Sequence, residues 1–271
     1  MLPNSKSIKT TALGVLKDNW LACIAASLIP FMLSFFTMCV FEMLYSLSNG
    51  IAVKIISIAV TAIIILFFLL PVFFGTLRVF RNLADGGKIY ISEIFIYFTT
   101  YKRYRRLMQA IFILALRLLF TGFVLFLPSA VIEFAAGGGF DFLMGNATPI
   151  WFTNLWVIAL FFRCLAFAIL LFVALSYYLL PYVLIINDDI DVLEAIYLSS
   201  KAAKYSTASF LGLFISFLGW ILLCLLAIPI MFILPYMIMC YVIHGYHAVK
   251  VYNYKITPQS ESSFVENDFR I

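Results

Sequence analysis

Long apolar tracts alternate along this chain with short segments that hold nearly all of its charge. Ile55 to Phe74 and Phe210 to Tyr241 carry no charged residue. A helix rises 1.5 Å per residue and the hydrocarbon core of a bilayer is about 30 Å thick, so roughly 20 apolar residues make one crossing. On that measure the pattern predicts crossings near 20–45, 53–77, 107–127, 155–180, 209–228 and 231–250. The last two share one tract: from Lys204 to His244 no residue is charged, and roughly 40 residues of helix span about twice the core. The chain is therefore expected to fold back there, with the turn at Pro229.

The polar segments are patterned as well. Before each odd-numbered crossing lies a short amphipathic stretch: Ser7 to Lys17, Ile91 to Arg106, and Asp191 to Lys204. In the second, Ile91, Ile94, Phe95 and Phe98 share one helical face while Lys102, Arg103, Arg105 and Arg106 crowd its end. That is the pattern of a helix lying in the membrane interface with its cations at anionic lipid headgroups. Each even-numbered crossing contains a Leu-Pro step, at Pro71, Pro181 and Pro235. Three repeated helical hairpins are one economical reading; chance recurrence of two common membrane residues is the other.

Composition narrows the solvent to lipid. The 271 residues are 65% apolar and 11% charged, with a mean hydropathy of +1.07, whereas a soluble domain is about a quarter charged. The first apolar run outlasts a signal-peptide core and is read as a helix that stays. All five cysteines lie inside apolar tracts, which excludes a disulfide framework or a zinc ribbon as the organising principle. The net charge of +5 sits beside the crossings, so it points to headgroups and not to nucleic acid.

Those charges also orient the chain. One set of segments holds Lys6, Lys9 and Lys17; Arg78 through Arg106; Lys201 and Lys204; and Lys250, Lys255 and Arg270. The other holds Lys54 alone. The asymmetry places both termini in the cytoplasm. Trp20, Trp151 and Trp156 suit interfacial belts. The largest outer connection, Pro128 to Asn154, contains Gly137 to Gly139 and Pro149 and suits a segment dipping into the interface. Its Asn146-Ala147-Thr148 sequon carries no weight beside Pro149.

From Asp188 onward the chain runs through Ala195, Ser199, Ser200 and Lys201 to Ser216-Phe217-Leu218-Gly219-Trp220, then Pro235 and Tyr236. With Ala12, Leu16, Asn19 and Trp20 near the start and a basic stretch after the second crossing, this resembles the bacterial multipass proteins of domain-of-unknown-function family 975. The family looks distantly like the membrane portion of certain glycerophosphodiester phosphodiesterases. This sequence ends soon after its last crossing and carries no soluble catalytic domain, so no phosphodiesterase activity is implied. Where relatives often have Lys, Gly and Asn before the fifth crossing, it has Ala203, Lys204, Tyr205 and Ser206. The resemblance implies a helical fold and a bacterial plasma membrane, and no reaction.

Few residues invite chemistry. Arg117 falls near mid-membrane and Arg163 in the outer half of the fourth crossing, with no carboxylate expected at matching depth because Glu42 and Glu133 lie near the outer interface. Two intramembrane arginines without a counter-ion would suit a bound anion, such as a lipid phosphate or a peptide carboxylate. The alternative is that each snorkels or bonds to backbone carbonyls near Pro128 or Pro181. Asp188, Asp189, Asp191 and Glu194 precede a helix and read as caps before they read as a divalent-metal site. Cys240, His244 and His247 share a stripe, but positions seven apart are roughly 10 Å apart along the axis, too far for one zinc ion. Packing is expected there and no metal is assigned. Gly212, Ser216 and Gly219 recur at i, i+4 and i+7, a smooth face for another helix.

The expected fold is an all-α membrane bundle of six crossings with short interfacial helices, spanning 1–256 as one domain, followed by a polar tail at 257–271. No paired carboxylates, metal triad or nucleophile beside a base is evident, so neither an enzyme nor a cofactor is expected. The preferred reading is a non-enzymatic accessory or scaffold protein meeting lipid headgroups and either a membrane protein partner or a second copy of itself. The alternative is a transporter or binder of an anionic amphipathic ligand through Arg117 and Arg163.

Overall fold

A computed structural model describes residues 4–46, 50–136, 155–187, 190–223 and 227–256. The glycine-rich connection with its sequon and Trp151, the pair Asp188 and Asp189, Cys224, and the polar tail from Thr257 lie outside them. Every described element is helical: α1 (Ser5–Leu16), α2 (Trp20–Ser46), α3 (Ile51–Ile64), α4 (Leu70–Ala84), α5 (Ile96–Thr99), α6 (Tyr101–Ala136), α7 (Leu155–Leu175), α8 (Leu180–Ile186), α9 (Val192–Leu223) and α10 (Ala227–Ile256). Six stretches of these helices are long and apolar enough to cross a membrane, as expected from the hydropathy.

The crossings overrun their predicted ends. The third continues through Pro128 to Ala136, and the fifth begins at Val192 and runs unbroken to Leu223. In an apolar medium an open backbone group costs several kcal/mol, so a helix persists where water would let it fray. The last helix starts at Ala227, which places Pro229 in its first turn, not at the fold-back. An amide hydrogen there has no intrahelical acceptor, so proline loses nothing.

The pre-span segments take three different forms. Only α1 is a separate helix of length, and its apolar stripe of Ile8, Ala12 and Leu16 is buried in the common cluster. The second segment is a 3-10 turn, Ile91–Phe95, followed by the single turn α5. Thr100 is extended, and the basic cluster falls in the first turns of α6. The third segment is simply the start of α9.

The described residues fall into two compact units, those within 1–108 and 179–256 forming one and those within 109–178 the other. In the first, Leu16, Phe80, Phe217, Met239 and Cys240 belong to one buried cluster. Helices α9 and α10 run side by side through ring contacts of Phe210 with Tyr241 and Phe217 with Tyr236. Close approach depends on glycine at two places. A Cβ at Gly75 would strike the backbone carbonyl of Ile94, and one at Gly245 would overlap the Tyr182 ring. Helix α4 ends in a Schellman motif: Gly86 has φ +81°, its N–H reaches Leu83 and the N–H of Gly87 reaches Asn82, closing carbonyls the helix leaves open.

The second unit is a hairpin of α6 and α7. Its buried small residues include Gly122 and Ser129 on one helix and Ala159 and Ala166 on the other, each pair at i and i+7, with Ala110 nearer the start of α6. Small side chains let two helices approach without a hydrophobic drive between them. By contrast, Gly212 and Gly219 face open space, and Leu213 and Phe217 are the buried residues of that stretch. Among the described residues, then, nothing packs on the glycines of that stripe, and a partner subunit is the other neighbour it suits.

Candidate functional site

The polar side chains inside the spans are mostly spent on backbone. Ser34, Thr37, Thr61, Thr76, Thr121 and Ser206 each donate to the carbonyl four residues earlier. Such hydroxyls are satisfied without a partner helix and stay chemically silent.

Proline creates the next polar contact. Pro71 has no amide hydrogen for the carbonyl of Phe67, and the helix widens into a π turn over Ile65–Leu69. The Tyr104 hydroxyl, on α6, donates to that Phe67 carbonyl at 3.1 Å. Two arginines serve the end of the short helix α8 in the same way. Arg81 Nη1 donates to the Ile185 carbonyl at 2.6 Å, and Arg106 Nη2 to the Asn187 carbonyl at 2.7 Å. The last carbonyls of a helix have no intrahelical donor, so each guanidinium closes an open acceptor at the negative end of the dipole. Arg81 is also ion-paired to Asp85 at 3.4 Å and lies over the Tyr246 ring.

Of the basic cluster, then, Arg106 has a structural role that the sequence did not announce. Lys102 and Arg105 are exposed and Arg103 half-buried; Arg103 and Arg106 line a shallow cleft with Tyr97, Leu107 and Leu184. No acidic residue occupies the first turn of α6. Four cations at the positive end of a helix dipole repel it, and an external anion relieves that repulsion.

Arg117 and Arg163 are not brought together. Arg163 is ion-paired with Glu133 on the facing helix of the hairpin, which overturns the expectation that it has no counter-ion. The pairing follows from α6 continuing past Pro128: the extra turns carry Glu133 to the level of Arg163. The same antiparallel register sets Gly122 against Leu170, so Arg117 lies roughly 20 Å along the axis from Arg163. It is exposed.

The remaining candidates are placed as follows. His244 is buried and its Nε2 lies 2.7 Å from the Ser209 hydroxyl across the α9–α10 seam. Cys240 is buried one turn away. Asp191 caps α9, its carboxylate accepting the Leu193 N–H and its carbonyl the Ala195 N–H. Lys9 reaches into the first unit, donating to the Ser216 carbonyl at 3.3 Å above the Phe217 ring; its pre-span position gave no sign of this.

Helices without strands among the described residues, six spans and a basic end define an all-α multipass membrane protein. The chain belongs to the family described as "Protein of unknown function (DUF975)", whose model matches residues 1–253. No curated protein and no solved structure matches it.

Proposed function

We propose that this chain is a non-enzymatic accessory or scaffold protein of the bacterial plasma membrane, with both termini at the cytoplasmic face. Its first unit is the anchor, held at anionic headgroups by Lys102, Arg103, Arg105 and Arg106. The hairpin of α6 and α7 is the element that meets another membrane protein. The observation that carries this reading is the exposure of the hairpin: among the described residues only 11% of the most apolar window of each of its two spans is buried. Orientation rests on the distribution of Lys and Arg, which favours the basic end inside.

Flux and cross-linking together test it. Reconstituted vesicles with and without an ion gradient should show no protein-dependent uptake of anionic amphiphiles. In native membranes a photo-reactive residue at Phe123 should give a protein adduct of one discrete mass, absent when the residue replaces Ala159 in the seam. Saturable, gradient-driven flux would overturn the reading, and lipid adducts alone at Phe123 would remove the partner from it.

A further inference from the structure

An arginine at mid-membrane is costly unless something meets its charge, and the chain shows where a partner for Arg117 has to come from. Along α6 it lies about 16 Å from Arg106 at the basic rim and about 24 Å from Glu133 at the other end. Snorkelling shortens the first distance by only part of the side chain's length. Glu133 is taken by Arg163. Among the described acidic residues, Glu42 and Glu133 lie near the far ends of their own spans, Glu194 at the start of α9, and Asp18, Asp85, Glu93 and Asp191 outside the spans or at their edges. Among the described residues of the hairpin, no carboxylate stands at the depth of Arg117.

That arithmetic selects the occupant of the surrounding surface. Leu116, Leu119, Phe120, Phe123 and Val124 are all exposed on the same helix, making an apolar face with one cation in it. A second copy of the hairpin would bring no described carboxylate to this depth, because its Glu133 lies at the far end of the span too. Lipid tails would cover the apolar residues and leave the guanidinium unmet. We propose that this face is the docking surface for a transmembrane helix of another protein carrying a carboxyl group at mid-membrane, opposite Arg117. The inference rests on the scaffold reading and names the partner's chemistry. A buried carboxyl alone in lipid is held protonated by desolvation; beside the guanidinium it ionises and forms a charge-assisted pair.

The test uses the full chain in phosphatidylcholine bilayers and three Leu-Ala transmembrane peptides. One has a single Glu at its centre, one has Gln there, and one has its Glu a turn from the end. Energy transfer between labelled peptide and protein reads binding. The central-Glu peptide should bind roughly tenfold more tightly than either other peptide. The preference should vanish in Arg117→Leu, persist in Arg117→Lys and be unchanged in Arg163→Leu. Arg117→Glu should instead favour a peptide with a central Arg, which guards against a variant that merely misfolds. Equal binding of all three peptides to the native chain would overturn the proposal, as would an undiminished preference in Arg117→Leu. Solute flux alongside central-Glu binding would sink the scaffold reading and leave this one standing.

Discussion

The last helix, α10, and the helix of the third span, α6, differ in one respect that their sequences do not show. Both are long apolar helices with a proline inside, yet 44% of the most apolar window of α10 is buried against 11% of that of α6. The difference lies in what faces each. Helix α10 is met by α1, α9 and α4 through Met239, Cys240 and Val242 in the common cluster, and Gly245 admits the Tyr182 ring. Within its unit α6 is met by α7 along a line of small residues. Hydrophobicity alone does not distinguish a helix made for protein from one made for lipid or a partner. The size of the side chains at its contacts does.

The contrast breaks most severely at its tightest point. Gly75→Ala should destabilise the first unit by about 3 kcal/mol, because its methyl meets backbone that has no rotamer to yield. Gly122→Ala should be neutral or slightly stabilising, since its methyl makes ordinary contact with Leu170 at 3.6 Å and helix propensity improves. Thermal unfolding in detergent compares the two. A smaller loss is expected from Arg106→Leu, about 2 kcal/mol by the same assay, because the Asn187 carbonyl is left without its donor. Arg105→Ala, at an exposed position, should leave stability alone and weaken binding to vesicles containing anionic lipid.

Glu133→Gln should cost about 1 kcal/mol or less, the Arg163 side chain being nearly half exposed. A double-mutant cycle with Arg163→Leu isolates the pair's share. The smallest effect belongs to the open face: Leu119→Ala should shift stability of the purified protein by less than about 0.5 kcal/mol.

What could be read in advance follows the same division. The spans were legible because twenty apolar residues have one stable form in lipid, and the Asp191 cap because an acidic residue before a helix has a local partner. The pairing of Glu133 with Arg163 was hidden by Pro128, which reads as a stop but costs a membrane helix only one hydrogen bond. The roles of Arg81 and Arg106 at the end of α8, and of Tyr104 at Phe67, depend on residues 30 to 100 positions away, which no local pattern encodes. Gly212 and Gly219 face open space among the described residues, because small-residue spacing permits close packing and does not say whether the neighbour belongs to the bundle or to a partner.

Oxygen accessibility of a spin label at Leu119, in purified protein and in native membranes, tests the central claim most directly, with a label at the buried Leu213 as reference. The expected result is a lipid-like value in the purified protein that falls toward the Leu213 value in native membranes as a partner helix covers the hairpin. A lipid-like value in both settings would contradict it and make α6 and α7 a hairpin that only lipid touches.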